Sequence, residues 1–352
     1  MFDPEQIYTT HGRDELARVI AETLDADLTE PIPDRDQWLG ETALRRLESR
    51  VVQTEQLYSE FAVVCEHAHK IASRADVREL LRLGTINGLR RFPEDKLQDK
   101  LIRGLVAVAR DNINELEESP RKHRLLSLWA YHAGIYASVI GDYRLAAESQ
   151  DLSANLVEAA GDMKAAVIST FRGSVERVND ALVNHPEKVR DAMARMSEAG
   201  EKLKEALGSI PDDPTSARWL LLNLPLHNLT SHFWVNETYD GTNDYRLLKE
   251  LAFRDPKLAL TEAASIAVAY AIHALNLREM ERASQLATAV IEDILSSRPL
   301  PMYIATAHLI HARIAQARAG GDEEAKLHLQ AATKVKGEAH QVRAIADRML
   351  KL

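Results

Sequence analysis

The 352-residue chain has one cysteine, Cys65. No intrachain disulfide can form, so packing has to hold the fold together. Aromatic residues make up only 5%, with 15 glycines and 12 prolines. That composition argues against a β-sandwich or barrel, which draws on β-branched and aromatic residues. Long apolar runs are missing too. The stretch Ala263–Leu277, bounded by Glu262 and Arg278, is too short for a bilayer core that needs about 20 residues. The chain opens Met1-Phe2-Asp3-Pro4, without an apolar run behind a basic start, so no secretory signal is expected. Cytoplasmic localisation and no membrane contact follow as expectations. A basic surplus is lacking as well. The net charge is −9, and residues 1–40 alone hold ten Asp and Glu against three Arg. A protein-wide nucleic-acid surface is therefore not expected.

The familiar motifs of catalysis are absent from the sequence: no Gly-rich phosphate loop, no Gly-x-Ser-x-Gly elbow, no His-Glu-x-x-His. Cys65, Glu66, His67 and His69 cluster, but zinc needs three or four ligands and there is no second cysteine. Glu66-x-x-His69 has no second such pair for a di-iron bundle. His308 and His311, three apart, read as core-edge residues. No catalytic residue, metal ion or cofactor is expected.

What the chain does have is Ala (49) and Leu (45), the residues of helices. Apolar residues recur at spacings of three and four between prolines. Pro186 and Glu187 suit a first helical turn, and Gly208 suits its stop. Between them Val189, Ala192, Met193, Met196, Leu203 and Leu207 share one face. A second helix is expected from Ser73, with Gly84 and Gly88 letting a neighbour come close. Residues 217–234 are apolar almost all round, with Pro225 expected to kink or split the helix. Residues 236–246 read as a loop. About fourteen short-linked helices result, a number more easily stacked in pairs than arranged round one core.

Trp129-Ala130-Tyr131-His132-Ala133-Gly134-Ile135-Tyr136 is followed by Gly141-Asp142-Tyr143, then Ala146. This resembles a tetratricopeptide repeat, a helix–turn–helix unit of about 34 residues. Trp129 and Tyr136 stand seven apart, Ala133 occupies the small crossing position, and Gly141-Asp142-Tyr143 is similar to the inter-helix turn. Ala267, Ala271 and Ala274 precede Ala283 and Ala287, and Ala312 and Ala315 precede Ala325 and Ala332, in a similar way. His132 stands where the family prefers Leu, and residues 160–258 show little of the pattern. The resemblance implies an all-α fold, an α-α superhelix or tetratricopeptide-like solenoid. Residues 1–120 would form an N-terminal helical region with an acidic leading segment, and 121–352 the hairpin array.

The resemblance further implies a regulatory scaffold or adaptor that holds a protein or peptide on its concave face, not an enzyme. The inner positions carried over include Ser138, Ile272, Asn276, Ile314 and Arg318. They are mostly apolar, which suits a hydrophobic peptide, a bulky partner element or a dimer mate; only Asn276 and Arg318 suit a carboxylate. Bacterial signal-sensing regulators often carry such arrays. The alternatives are an all-helical enzyme, or a nucleic-acid-binding regulator using the basic stripe of Arg74, Arg78 and Arg82 that continues to Arg103. Against the stripe stands its reading as a solvated face, with Arg78 and Arg82 paired to Glu79 and Asp76. The acidic leading segment is expected to pack as a cap or arm, with the Arg74–Arg103 region as one candidate seat.

Overall fold

The computed structural model of the protein describes residues 4–26, 55–89, 96–208, 214–237, 239–254, 260–294, 301–336 and 339–351. Among them are fifteen helices and no strand. In chain order these are α1 (Pro4–Ala26), α2 (Glu55–Ile71), α3 (Ala75–Leu89), α4 (Lys96–Glu115), α5 (Pro120–Val139), α6 (Tyr143–Ala159), α7 (Met163–Asn184) and α8 (Val189–Leu207). Then come α9 (Pro214–Arg218, Trp219–Asn223 and Leu224–Trp234), α10 (Thr242–Arg254), α11 (Leu260–Asn276) and α12 (Met280–Ala289, continuing as Val290–Ile294). The last are α13 (Pro301–Gln316), α14 (Asp322–Lys334) and α15 (His340–Met349). None of the described helices is long and apolar enough to cross a membrane. The chain divides into two compact units. The first comprises Met1–Tyr136 and Asn155–Asp162; the second comprises Ala137–Ala154 and Met163–Leu352.

In the first unit α1 packs on α2, α2 on α3 and α3 on α4. The acidic leading segment is partly built into this core. Asp25, near the end of α1, accepts hydrogen bonds from the backbone N–H of Ser73 (2.8 Å) and Arg74 (3.2 Å). It thus meets the positive end of α3 from another helix. The remainder of the acidic stretch, residues 27–40, lies outside the described residues.

The second unit is a succession of hairpins. α7 packs on α8, α11 on α12 and α13 on α14. The helices α9, α11, α13 and α15 also pack each on the next, and α15 returns to pack on α7. The small residues at the crossings are all buried: Ala271, Ala283, Ala287, Ala312 and Ala332 have no exposed surface.

The turns share one chemistry. After α5, the N–H of Asp142 bonds to the carbonyl of Ala137 (2.9 Å) and that of Gly141 to Ser138 (3.1 Å). The same pair of bonds recurs at Gly161-Asp162, at Asn236-Glu237 and at Arg278-Glu279. Each is a Schellman turn, whose pivot residue needs positive φ; the four pivots have φ of 83°, 82°, 59° and 61°.

One expectation is refined and one corrected. Of the kink or split expected at Pro225, the split is absent: α9 is not broken, but its helix changes type just before the proline. The helix widens to a π-turn at Trp219–Asn223, where the N–H of Leu224 reaches back to the carbonyl of Trp219. The wider turn accommodates the donor that proline lacks. The loop expected at 236–246 ends early, because Asp240 accepts from the backbone N–H (3.1 Å) and hydroxyl (2.6 Å) of Thr242 and starts α10 there. By contrast the helix from Pro186 runs as expected: a 3₁₀ turn, then Val189–Leu207, with Val189, Met193, Met196, Leu203 and Leu207 buried.

The turn at Gly141 also locks the C-terminus of the second unit. A Cβ at Gly141 would lie 3.0 Å from the His340 ring. Nearby, the Tyr143 hydroxyl donates to Gln341 Oε1 (2.6 Å). Arg348 donates to the carbonyl of Leu182 (2.7 Å). Gly141→Ala therefore combines a left-handed strain of about 1–2 kcal/mol with a clash. Gly320, with φ 79° and no atom within 4 Å of a built Cβ, carries the strain alone. Urea unfolding should show Gly141→Ala losing more stability than Gly320→Ala; equal losses would contradict this packing.

Candidate functional site

Three helices of the second unit end at one cavity of about 200 Å³, lined by Phe233, Asn236, Glu237, Leu275, Asn276 and Arg313. Phe233 belongs to α9, and Asn236 and Glu237 to the turn behind it. Leu275 and Asn276 close α11, and Arg313 lies in the last turn of α13. Among the described residues, the two with positive φ that are not glycine, Asn236 and Arg278, are the pivots after α9 and α11. Asn tolerates this conformation, whereas Arg278 holds it under strain of the kind that gathers at functional sites.

The cavity wall is fixed by Tyr239. Its ring stacks on His232 at 4.1 Å, and its hydroxyl donates to Asp244 (2.7 Å). Its carbonyl accepts from Asn276 Nδ2 (3.2 Å). Asp244 is buried and also accepts from Asn228 (3.3 Å). Burial pushes the Asp244 carboxyl up, against the pull of these two hydrogen bonds.

Arg313 is the unusual group. Its guanidinium lies 4.2 Å from the centroid of the Phe233 ring, a cation–π contact. Its Nε is buried without a hydrogen-bond partner. Desolvation holds its pKa down to about 10, with no neighbouring charge among the described residues to offset it. Glu237, on the same wall, pairs instead with Arg190 at 3.6 Å.

The residues expected to contact a partner are dispersed. Asn276 lines the cavity. Ile272 and Ile314 are core residues, 0% and 2% exposed, so the apolar inner positions are filled by neighbouring helices and are not open. Arg318 is exposed in the turn after α13. Ser138 donates to Glu176 Oε2 (2.9 Å). That carboxylate is buried with Asn179 beside it at 3.2 Å. Burial raises the Glu176 pKa, with Arg172 the main opposing charge.

In the first unit the basic stripe is largely tied up. Arg74 forks onto Asp76 (3.2 and 3.0 Å), which Arg121 also meets at 2.8 Å. Arg82 pairs with the buried Glu79 at 3.3 Å and contacts His69 at 3.2 Å. Arg103 pairs with Asp99 at 2.9 Å. Arg78 is exposed. The expected pairing of Arg82 with Glu79 is present, but as a buried ion pair and not on a solvated face, while Asp76 takes Arg74 and Arg121. Arg90 and Arg91 lie outside the described residues.

The helical periodicity marked Arg313 only as a cation near the end of α13. Its burial depends on Phe233, eighty positions earlier, and no local signal carries that. Glu176 escaped notice for the same reason. No protein-family model, curated protein or solved structure matches the chain.

The histidines give a separate cluster. His308 Nδ1 lies 3.3 Å from His328 Nδ1, and His311 stacks on His328 at 4.8 Å. Among the described residues no group of three or more His, Cys, Asp or Glu is arranged to hold a metal ion. Burial pushes His308 down to about 4, helped by the other two rings. Burial likewise lowers His311 and His328, with Glu324 opposing. The His308 ring stays neutral in the fold down to about pH 4, and the other two are harder to protonate than in the unfolded chain, which takes up protons below about pH 6.5. Stability is therefore expected to be full above pH 6.5 and to fall as the pH drops toward 4. The drop in melting temperature between pH 7.5 and 5 should shrink in His308→Leu; an unchanged drop would remove this ring from the account.

Proposed function

We propose that the protein is a binding module of tetratricopeptide-like type, a regulatory adaptor that holds a peptide or partner protein on stacked helical hairpins. One observation carries the reading. The cavity is built by α9, α11 and α13, the first helices of three consecutive hairpins. In such arrays the first helices line the inner, ligand-facing surface. The repeated Schellman turns and buried crossing alanines support the same architecture, a solenoid whose last helix reaches back to α7. Two amides, a cation, an anion and two apolar side chains on the cavity wall suit polar chain groups flanked by apolar ones.

Arg74 and Arg82 are engaged in ion pairs, so no observation favours the nucleic-acid alternative. The test is position-dependent photo-crosslinking in cells. With p-benzoylphenylalanine replacing Glu237, a covalent adduct to a peptide or protein of defined mass is expected. Replacement of Leu327, 66% exposed on the second helix of its hairpin, should give none. Adducts from position 327 alone, or from neither position, would contradict the reading.

A further inference from the structure

We infer that the cavity at the ends of α9, α11 and α13 takes a small zwitterion of amino-acid type, its carboxylate on Arg313 and its amino group on Glu237. This rests on the reading of the second unit as a binding array and adds to its peptide or protein partner a small-molecule ligand at this one cavity.

Size limits the ligand first. A volume of about 200 Å³ is below the ~300–1,000 Å³ of drug-sized sites, so the cavity suits a small metabolite. Charge narrows it further. The wall carries one cation and one anion, and the two do not neutralise each other: Glu237 pairs with Arg190, and no charge among the described residues offsets Arg313. The Arg190 partner is 89% exposed, so it holds the Glu237 carboxylate only loosely. A simple anion would satisfy Arg313 and be repelled by Glu237. A simple cation would meet the reverse. A ligand with both charges satisfies both walls at once.

Hydrogen bonding agrees with that assignment. The guanidinium presents a planar fork matched to a carboxylate. Asn276 spends one N–H on Tyr239, which leaves its second N–H and its carbonyl oxygen for a ligand. Phe233 and Leu275 supply the apolar flank, so the fitting ligand has an apolar side chain. Phe233 also stacks on Arg313, which steadies the guanidinium while it has no anion.

The experiment is isothermal titration of the full chain with leucine, isoleucine, valine, methionine and phenylalanine. Each is compared with its N-acetyl and its carboxamide derivative. At least one free amino acid should bind saturably, and either derivatisation should weaken it tenfold or more. Arg313→Met should abolish binding of the free amino acid. Glu237→Gln should lower its affinity tenfold and erase the preference over the N-acetyl form. Should Arg313→Met fail to fold, Glu237→Gln, at a half-exposed position, decides alone. No binding by any of the five, equal binding of the N-acetyl form to the parent chain, or unchanged binding in Glu237→Gln would each overturn the inference. A crosslinked partner at position 237 without amino-acid binding leaves the adaptor reading standing and removes only this one.

Discussion

Close approach of paired helices is the constraint on which the second unit depends. Ala271, Ala283, Ala287, Ala312 and Ala332, where the repeat pattern expects helices to cross, have no exposed surface. A side chain larger than a methyl at such a point would push the helices apart, and packed interiors transmit that displacement. The helices α9, α11 and α13 pack each on the next, and their last turns meet at one cavity. The abundance of alanine thus serves geometry more than helix propensity.

Turn chemistry completes the constraint. A Schellman turn reverses the chain within two residues and satisfies the last carbonyls of the helix. Where the pivot is glycine, as at Gly141, the turn is unstrained and can lie against another side chain. Where it is Asn236 the pivot lines the cavity, and where it is Arg278 the residues just before it, Leu275 and Asn276, do.

Local patterns showed the helices, the crossing alanines and the turn at Gly141-Asp142, because each depends on neighbours within a few residues. The turn at Gly161-Asp162 was equally legible, with the same two residues in the same order. The π-turn before Pro225 was not, since proline alone does not say whether a helix breaks or widens. The inner face was misjudged for a tertiary reason. Ile272 and Ile314 have the right helical spacing, but packing among the first helices fills the space they point into. Asn276 reached the cavity because it sits at a helix end. Arg313 could not be singled out among the chain's many arginines, because what distinguishes it is the missing carboxylate around it.

That missing carboxylate is the centre of the account. A partly buried guanidinium without a counter-charge among the described residues is costly, and the Phe233 ring offsets only part of the cost. Methionine keeps the apolar stem of the side chain and removes the charge. Thermal unfolding of ligand-free Arg313→Met is therefore the most direct measurement. If the charge is held for a ligand, the variant melts above the parent chain, by about 2 °C or more. A melting temperature several degrees below the parent would show that the fold itself depends on Arg313, and would contradict the account.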